Sequence, residues 1–153
     1  MKKTTILLVV VSILAVFFCC SWVRSITEHH TEMERRCQRY AEQAAGHLAE
    51  YEEFKDINDE KHIGQYWGSV SIFYAFMDTL QFLPDNGGWN EVLYKDCDVL
   101  YDHMLLAPEE VFAHMEDVLA ALELLGEDYT SYEARRAMNR VAYNMQYDTW
   151  ETE

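Results

Sequence analysis

An uninterrupted apolar run near the amino end constrains the fold of this chain more than any other feature. Residues 4–23 contain no charged side chain. This run is about 20 residues long, and as a helix that rises 1.5 Å per residue it would cross the roughly 30 Å of bilayer hydrocarbon. Trp22 is of the type found at membrane interfaces, and Arg24 ends the uncharged run. We therefore predict a membrane anchor over residues 1–24 that contacts membrane lipid through residues 4–23.

The charges that flank the run predict its orientation. Lys2 and Lys3 precede it, and a short basic start before a first apolar helix normally stays in the cytoplasm. Four arginines follow the run and oppose this rule, at positions 24, 35, 36 and 39. We expect a single-pass protein of the cell membrane with a cytoplasmic amino terminus and residues 25–153 as an extracytoplasmic domain. The alternative is a cleaved signal peptide, which would release a secreted helical protein, although the run exceeds the usual 7–15 apolar residues.

The rest of the chain has apolar residues at helical spacing, separated by short polar segments. The predicted helices cover residues 25–54, 63–83, 89–106, 108–125 and about 131–150. The first has no helix breaker between Val23 and Thr31, so the membrane helix is expected to continue into it. The predicted fold class is all-α, with an N-terminal transmembrane helix that continues into a small bundle of about four amphipathic helices.

Local signals predict where these helices begin and end. Residues 55–62 and 84–88 have the composition of turns. Pro108 suits a first helical position, and Gly126 is expected to end the helix that follows. Thr130 and Glu133 have the spacing of a capping box at the start of the last helix.

Charge and motifs exclude several function classes. Residues 24–153 hold 10 Lys and Arg against 27 Asp and Glu, and such an acidic domain repels nucleic-acid phosphate. The sequence contains no HExxH, no pair of ExxH motifs, no G-x-S-x-G and no glycine-rich phosphate loop. We therefore predict no catalytic, cofactor-binding or metal-binding residue, no cofactor, no nucleic-acid partner and no enzymatic activity.

Two cysteines lie on the predicted apolar faces of their helices. Cys37 and Cys97 would be joined as a disulfide in an oxidising compartment, or would remain two buried thiols. The spacing along the chain does not decide between them, because a disulfide requires a specific distance between the Cα atoms.

The last helix combines a core face with an aromatic row. Tyr143, Tyr147 and Trp150 recur at i, i+4 and i+7 and form a possible partner surface. We expect a non-enzymatic interaction or scaffold role at the cell envelope, through a protein partner or self-association.

A ligand-sensing or small-molecule-binding bundle is the alternative function. The helix over 63–83 is apolar nearly all round, which is typical of a central core helix. Its possible pocket is lined by four aromatic residues, Tyr66, Trp67, Tyr74 and Phe76.

Overall fold

The computed structural model of the chain describes residues 2–54, 60–84 and 87–150, with the side chains of residues 11–54, 63–84 and 87–150. Helices dominate this part of the chain, and no strand is present in it, so the predicted all-α fold is confirmed. The helices are α1 (Lys2–Phe54), α2 (Glu60–Gln81), α3 (Trp89–Leu106), α4 (Pro108–Ala113), α5 (Met115–Asp128) and α6 (Tyr132–Tyr147).

The chain divides into two compact units, residues 1–34 and 35–153. The first unit is the amino-terminal part of α1, and the side chains of residues 11–29 are all exposed. Among the described residues α1 is the one helix that is long and apolar enough to cross a membrane. The membrane anchor is predicted from the sequence to end at residue 24. That boundary marks where the chain would leave the bilayer, which contacts within the chain do not test, so it stays a prediction.

The second unit is a bundle in which each longer helix contributes an apolar stripe to the core and α4 contributes Val111. α6 packs along both α3 and α5, and α2 packs along α3. Residues that are buried at helical spacing include Cys37, Ala41, Ala44 and Leu48 of α1, Phe73, Met77 and Leu80 of α2, Leu93, Cys97, Leu100 and Met104 of α3, Val118, Leu122 and Leu125 of α5, and Met138, Val141 and Met145 of α6.

Small residues let α1 approach its neighbours closely. Ala41, Ala44 and Ala45 are buried on one side of α1. The Ser69 hydroxyl of α2 donates a 2.7 Å hydrogen bond to the carbonyl oxygen of Ala44. Such side-chain to backbone contacts require helices that are nearly in backbone contact, which residues with short side chains permit.

Two polar contacts show that α3 and α6 run parallel. The Arg135 guanidinium donates to the side-chain oxygen of Asn90 at 3.2 Å. Six residues further along α3 and four further along α6, the amide of Asn139 donates to a carboxylate oxygen of Asp96 at 3.1 Å. Both partners advance along the chain together, so the carboxyl ends of α3 and α6 lie at the same end of the bundle.

Three local predictions are corrected by the structure. The helix predicted over 108–125 is interrupted at His114, whose non-helical backbone separates α4 from α5. Gly126 does not end a helix but lies inside α5, where it faces α1. The cap of α6 is Ser131 rather than Thr130, since the Ser131 hydroxyl accepts a hydrogen bond from the backbone N–H of Ala134 at 3.1 Å.

The other boundaries agree with the predictions to within a few residues. α3 has the predicted bounds, Trp89–Leu106. α2 begins at Glu60, earlier than predicted, and most of the predicted turn over 55–62 lies outside the described residues. In the turn over 84–88, Gly87 and Gly88 have positive φ angles of 76° and 86°, a conformation that residues with a Cβ atom rarely adopt.

Candidate functional site

The exposed face of α6 is the most distinctive surface of the bundle. Tyr132, Tyr143 and Tyr147 are 65%, 55% and 57% exposed. Arg136 and Arg140 are also exposed, and at 100° per residue they lie on the same face of the helix as the tyrosines. We call these five residues the Tyr/Arg face.

The opposite side of α6 explains why these residues point outward. Ala134, Met138, Val141 and Met145 are buried against the core. They recur every three or four residues, so burial of this stripe fixes the rotation of the helix about its axis. The Tyr/Arg face then has to lie on the solvent side.

The structure brings together two of the three residues predicted for the aromatic row. The rings of Tyr143 and Tyr147 lie 4.8 Å apart, centroid to centroid. α6 ends at Tyr147, because Asp148 adopts a left-handed conformation with φ 50°. Trp150 therefore leaves the row and stacks on the His114 ring at 3.8 Å.

Trp150 borders a groove of about 610 Å³ between α4, His114 and the end of α6. Glu109, Glu110 and Asp148 lie along it, and no Lys or Arg does. On α4, the carboxylate of Glu110 approaches the Nε2 atom of His103 at 3.3 Å. Trp150 thus lies in an acidic setting, and Tyr147 borders the same groove at the end of the Tyr/Arg face.

The four residues of the predicted pocket differ in their exposure. Tyr66 and Phe76 are buried, whereas Trp67 and Tyr74 are 46% and 53% exposed. Tyr74 contacts Tyr101 of α3, with ring centroids 5.5 Å apart. A helix rotates 100° per residue, so residues 66, 67, 74 and 76 point in several directions.

Tyr66 belongs to an aromatic cluster that fixes α4 against α1 and α2. Its ring lies 5.3 Å from Tyr51 and 5.0 Å from Phe112, and Tyr51 stacks on Phe112 at 5.1 Å. The Tyr66 hydroxyl donates to the carbonyl oxygen of Met104 at 2.9 Å. Burial is the main cause that raises the pKa of Tyr66 above its usual range. These contacts assign a structural role to Tyr66.

Cys37 and Cys97 are fully buried in the same core and are free thiols in the structure. Burial raises the pKa of Cys37 to about 12. Burial also raises the pKa of Cys97, and the neighbouring charges of Asp96 and Cys37 raise it further. A thiol that resists ionisation is a poor nucleophile and a poor metal ligand.

Among the described residues, no group of three or more His, Cys, Asp or Glu side chains is arranged to hold a metal ion.

Asp96 is the half-buried carboxylate of the contact between α3 and α6. Desolvation raises the pKa of Asp96, and the hydrogen bond from Asn139 opposes that shift. This environment is that of a structural contact between two helices.

Sequence reasoning found the tyrosines of the candidate surface but missed its arginines. Arg136 and Arg140 are four residues apart and continue the spacing of Tyr132 and Tyr143. The signal was therefore available in the helical periodicity of the last helix. The arginines were missed because the predicted row contained aromatic residues alone.

Comparisons with protein-family models, with curated proteins and with solved structures find no match to this chain.

Proposed function

We propose that this chain is a single-pass, membrane-anchored helical protein with a non-enzymatic interaction role at the cell envelope. Its contact surface is the Tyr/Arg face of α6. The observation that carries the proposal is the exposure of Tyr143 and Tyr147, which form an aromatic pair beside two exposed arginines. Tyrosine, tryptophan and arginine are the residue types that contribute most to protein–protein binding.

The exposed apolar side chains of α1 support the anchor. Phe17, Phe18 and Trp22 are each about two-thirds or more exposed, with values of 68%, 69% and 71%. None of the 18-residue apolar window of α1 that is long enough to cross a membrane is buried. Water would disfavour such a surface by about 25 cal/mol for each Å², and bilayer hydrocarbon removes that cost.

The proposed orientation places Lys2 and Lys3 in the cytoplasm and the second unit outside. We expect protease added to intact cells, after removal of any outer barrier, to digest residues 35–153. An epitope tag fused before Met1 should remain protected from the protease, because it would lie in the cytoplasm. In cells that are not treated with protease, the membrane fraction should contain the chain at its full-length mass, because the apolar run is not cleaved from it.

Two results would contradict this arrangement. Protection of the carboxyl-terminal unit in intact cells would reverse the orientation. A soluble mature chain that lacks the first residues would identify the run as a cleaved signal peptide, the alternative described above.

The contact surface is tested by photo-crosslinking in native membranes. A photoreactive phenylalanine analogue in place of Tyr143 should form a discrete crosslinked band. Tyr147→Ala should weaken binding by about 30-fold or more, since truncating a central aromatic residue at an interface typically costs at least about 2 kcal/mol.

The matched control uses Tyr74, which is similarly exposed but lies on α2. A photoreactive analogue at position 74 should give no such band, and Tyr74→Ala should leave the crosslink at position 143 unchanged. Equal crosslinking at both positions would show that α6 has no special role.

A further inference from the structure

The Tyr/Arg face differs in charge from the rest of the bundle. α6 contains three arginines and one glutamate, whereas residues 24–153 as a whole hold 10 basic and 27 acidic residues. Arg136 and Arg140 are exposed, and neither forms an ion pair with a carboxylate in the described part of the chain. This face therefore complements an acidic surface.

The bundle itself presents such an acidic surface on another side. A groove of about 470 Å³ runs between α1 and α5. Glu42, Glu123 and Glu127 line it and are exposed, and no Lys or Arg is among its lining residues. Its other lining residues include the short side chains Ala45, Gly46 and Ala49, which leave room for larger side chains from outside.

The charge spacing on the two surfaces is the same. Arg136 and Arg140 are four residues apart on α6, and Glu123 and Glu127 are four residues apart on α5. Each pair is therefore separated by about 6 Å along its helix axis. Two helices packed nearly parallel or antiparallel would let both arginines meet both glutamates at once.

Such a contact would also offset a repulsion that is present on each of the two surfaces. Like charges at i and i+4 on a helix are mutually unfavourable by a few tenths of a kcal/mol, and both the arginine pair and the glutamate pair have this spacing. A partner of opposite charge removes the repulsion on both surfaces.

We propose that the Tyr/Arg face of one copy docks in the α1–α5 groove of a second copy, with Arg136 and Arg140 opposite Glu123 and Glu127. This inference rests on the proposed function and names the partner of the same surface. A symmetric contact between two α6 helices would instead place arginine against arginine. Because the contact joins two different surfaces, it can continue from copy to copy in a ring or a row.

A charge swap in the full chain, reconstituted in lipid nanodiscs or mild detergent, tests this pairing. Self-association of the wild type is measured by analytical ultracentrifugation and by fluorescence energy transfer between labelled copies. Arg136→Glu with Arg140→Glu, or Glu123→Lys with Glu127→Lys, should each weaken association by about tenfold or more, as expected when like charges meet across an interface. Mixing the two variants should restore association between them.

The control variant is Glu50→Lys with Glu53→Lys. It makes the same change in net charge as the Glu123→Lys, Glu127→Lys variant. Both residues are exposed on α1 and lie outside the groove. This variant should associate as the wild type does. Association of the wild type should also weaken as salt increases, because exposed charge pairs are screened.

A monomeric wild type over the accessible concentration range would overturn the inference, and so would a mixture of the two charge variants that fails to associate. These failures differ from failure of the proposed function. The Glu123→Lys, Glu127→Lys variant retains an intact Tyr/Arg face. If position 143 crosslinks to a different protein, and not to a second copy, in both the wild type and this variant, the proposed function stands and the self-association inference is overturned.

Discussion

Raising the pH from 9 to 11 is expected to destabilise the bundle by about 2.5 kcal/mol through the Cys37 thiol, and further through the Cys97 thiol, because burial disfavours ionisation of both thiols in the folded state. An ordinary thiol has a pKa of about 8.5, and burial raises the pKa of Cys37 to about 12 and that of Cys97 in the same direction. Each group loses about 1.4 kcal/mol of folding stability per pH unit between its unfolded and folded pKa. The loss is a large part of the 5–15 kcal/mol that stabilises a typical domain.

The sign follows from the direction of the shifts. A raised folded pKa means that the stabilisation is fully present below the unfolded pKa of about 8.5, and that it is lost as the pH rises through the folded pKa. Above about pH 10 the buried Tyr66 hydroxyl adds to the loss, since its pKa is raised as well.

Urea unfolding of the full chain in detergent, followed by circular dichroism between pH 7 and pH 11, measures this effect. Cys37→Ala with Cys97→Ala provides the baseline without thiols and should have a much shallower pH dependence. A wild type with the same shallow dependence would contradict the expectation of two free thiols. If the steep dependence then returned on reduction, the predicted disulfide between Cys37 and Cys97 would be identified.

The parts of the fold that the sequence predicts well are those set by neighbouring residues. α3 has the predicted bounds because Gly87 and Gly88 supply the left-handed turn before it and Pro108 begins the next helix directly after it. The length of α1 also follows from a local feature, the absence of a helix breaker.

Predictions failed where residues distant in sequence decide the conformation. The non-helical residue His114, which separates α4 from α5, is neither proline nor glycine, and in the structure its ring stacks on Trp150. Gly126 has the residue type of a helix end, but α5 continues through it because α1 lies directly against it. No inspection of the neighbouring residues would have revealed either contact.

The candidate site shows the same division. The periodicity of α6 was sufficient to place Tyr143 and Tyr147 on one face. It extended the row to Trp150 because the left-handed turn at Asp148 has no glycine to mark it. The pocket prediction grouped residues of α2 by aromatic type, and the structure buries Tyr66 whereas it exposes Trp67.

Gly126→Ala is expected to destabilise the bundle by about 1–3 kcal/mol, the usual cost of overpacking a core. A Cβ atom at position 126 would lie 2.8 Å from the Cα atom and 3.0 Å from the backbone nitrogen of Glu42. Because these are backbone atoms, no side-chain rotation relieves the clash, and α1 and α5 must separate. The hydrogen bond from the Gln38 amide to the carbonyl oxygen of Glu127, 2.5 Å long, would then be lengthened or lost.

Gly46→Ala is the matched control, because it places the same methyl group on the neighbouring helix where no atom lies within 4 Å. Alanine favours a helix over glycine by up to about 1 kcal/mol, so this variant should be slightly more stable than the wild type. The two substitutions therefore have opposite expected signs for the same chemical change, and thermal or urea unfolding of both variants separates close packing from helix propensity. If Gly126→Ala were as stable as Gly46→Ala, α1 and α5 could not be in backbone contact at Glu42. The packing of Gly126 against α1 in the α1–α5 groove would then be wrong.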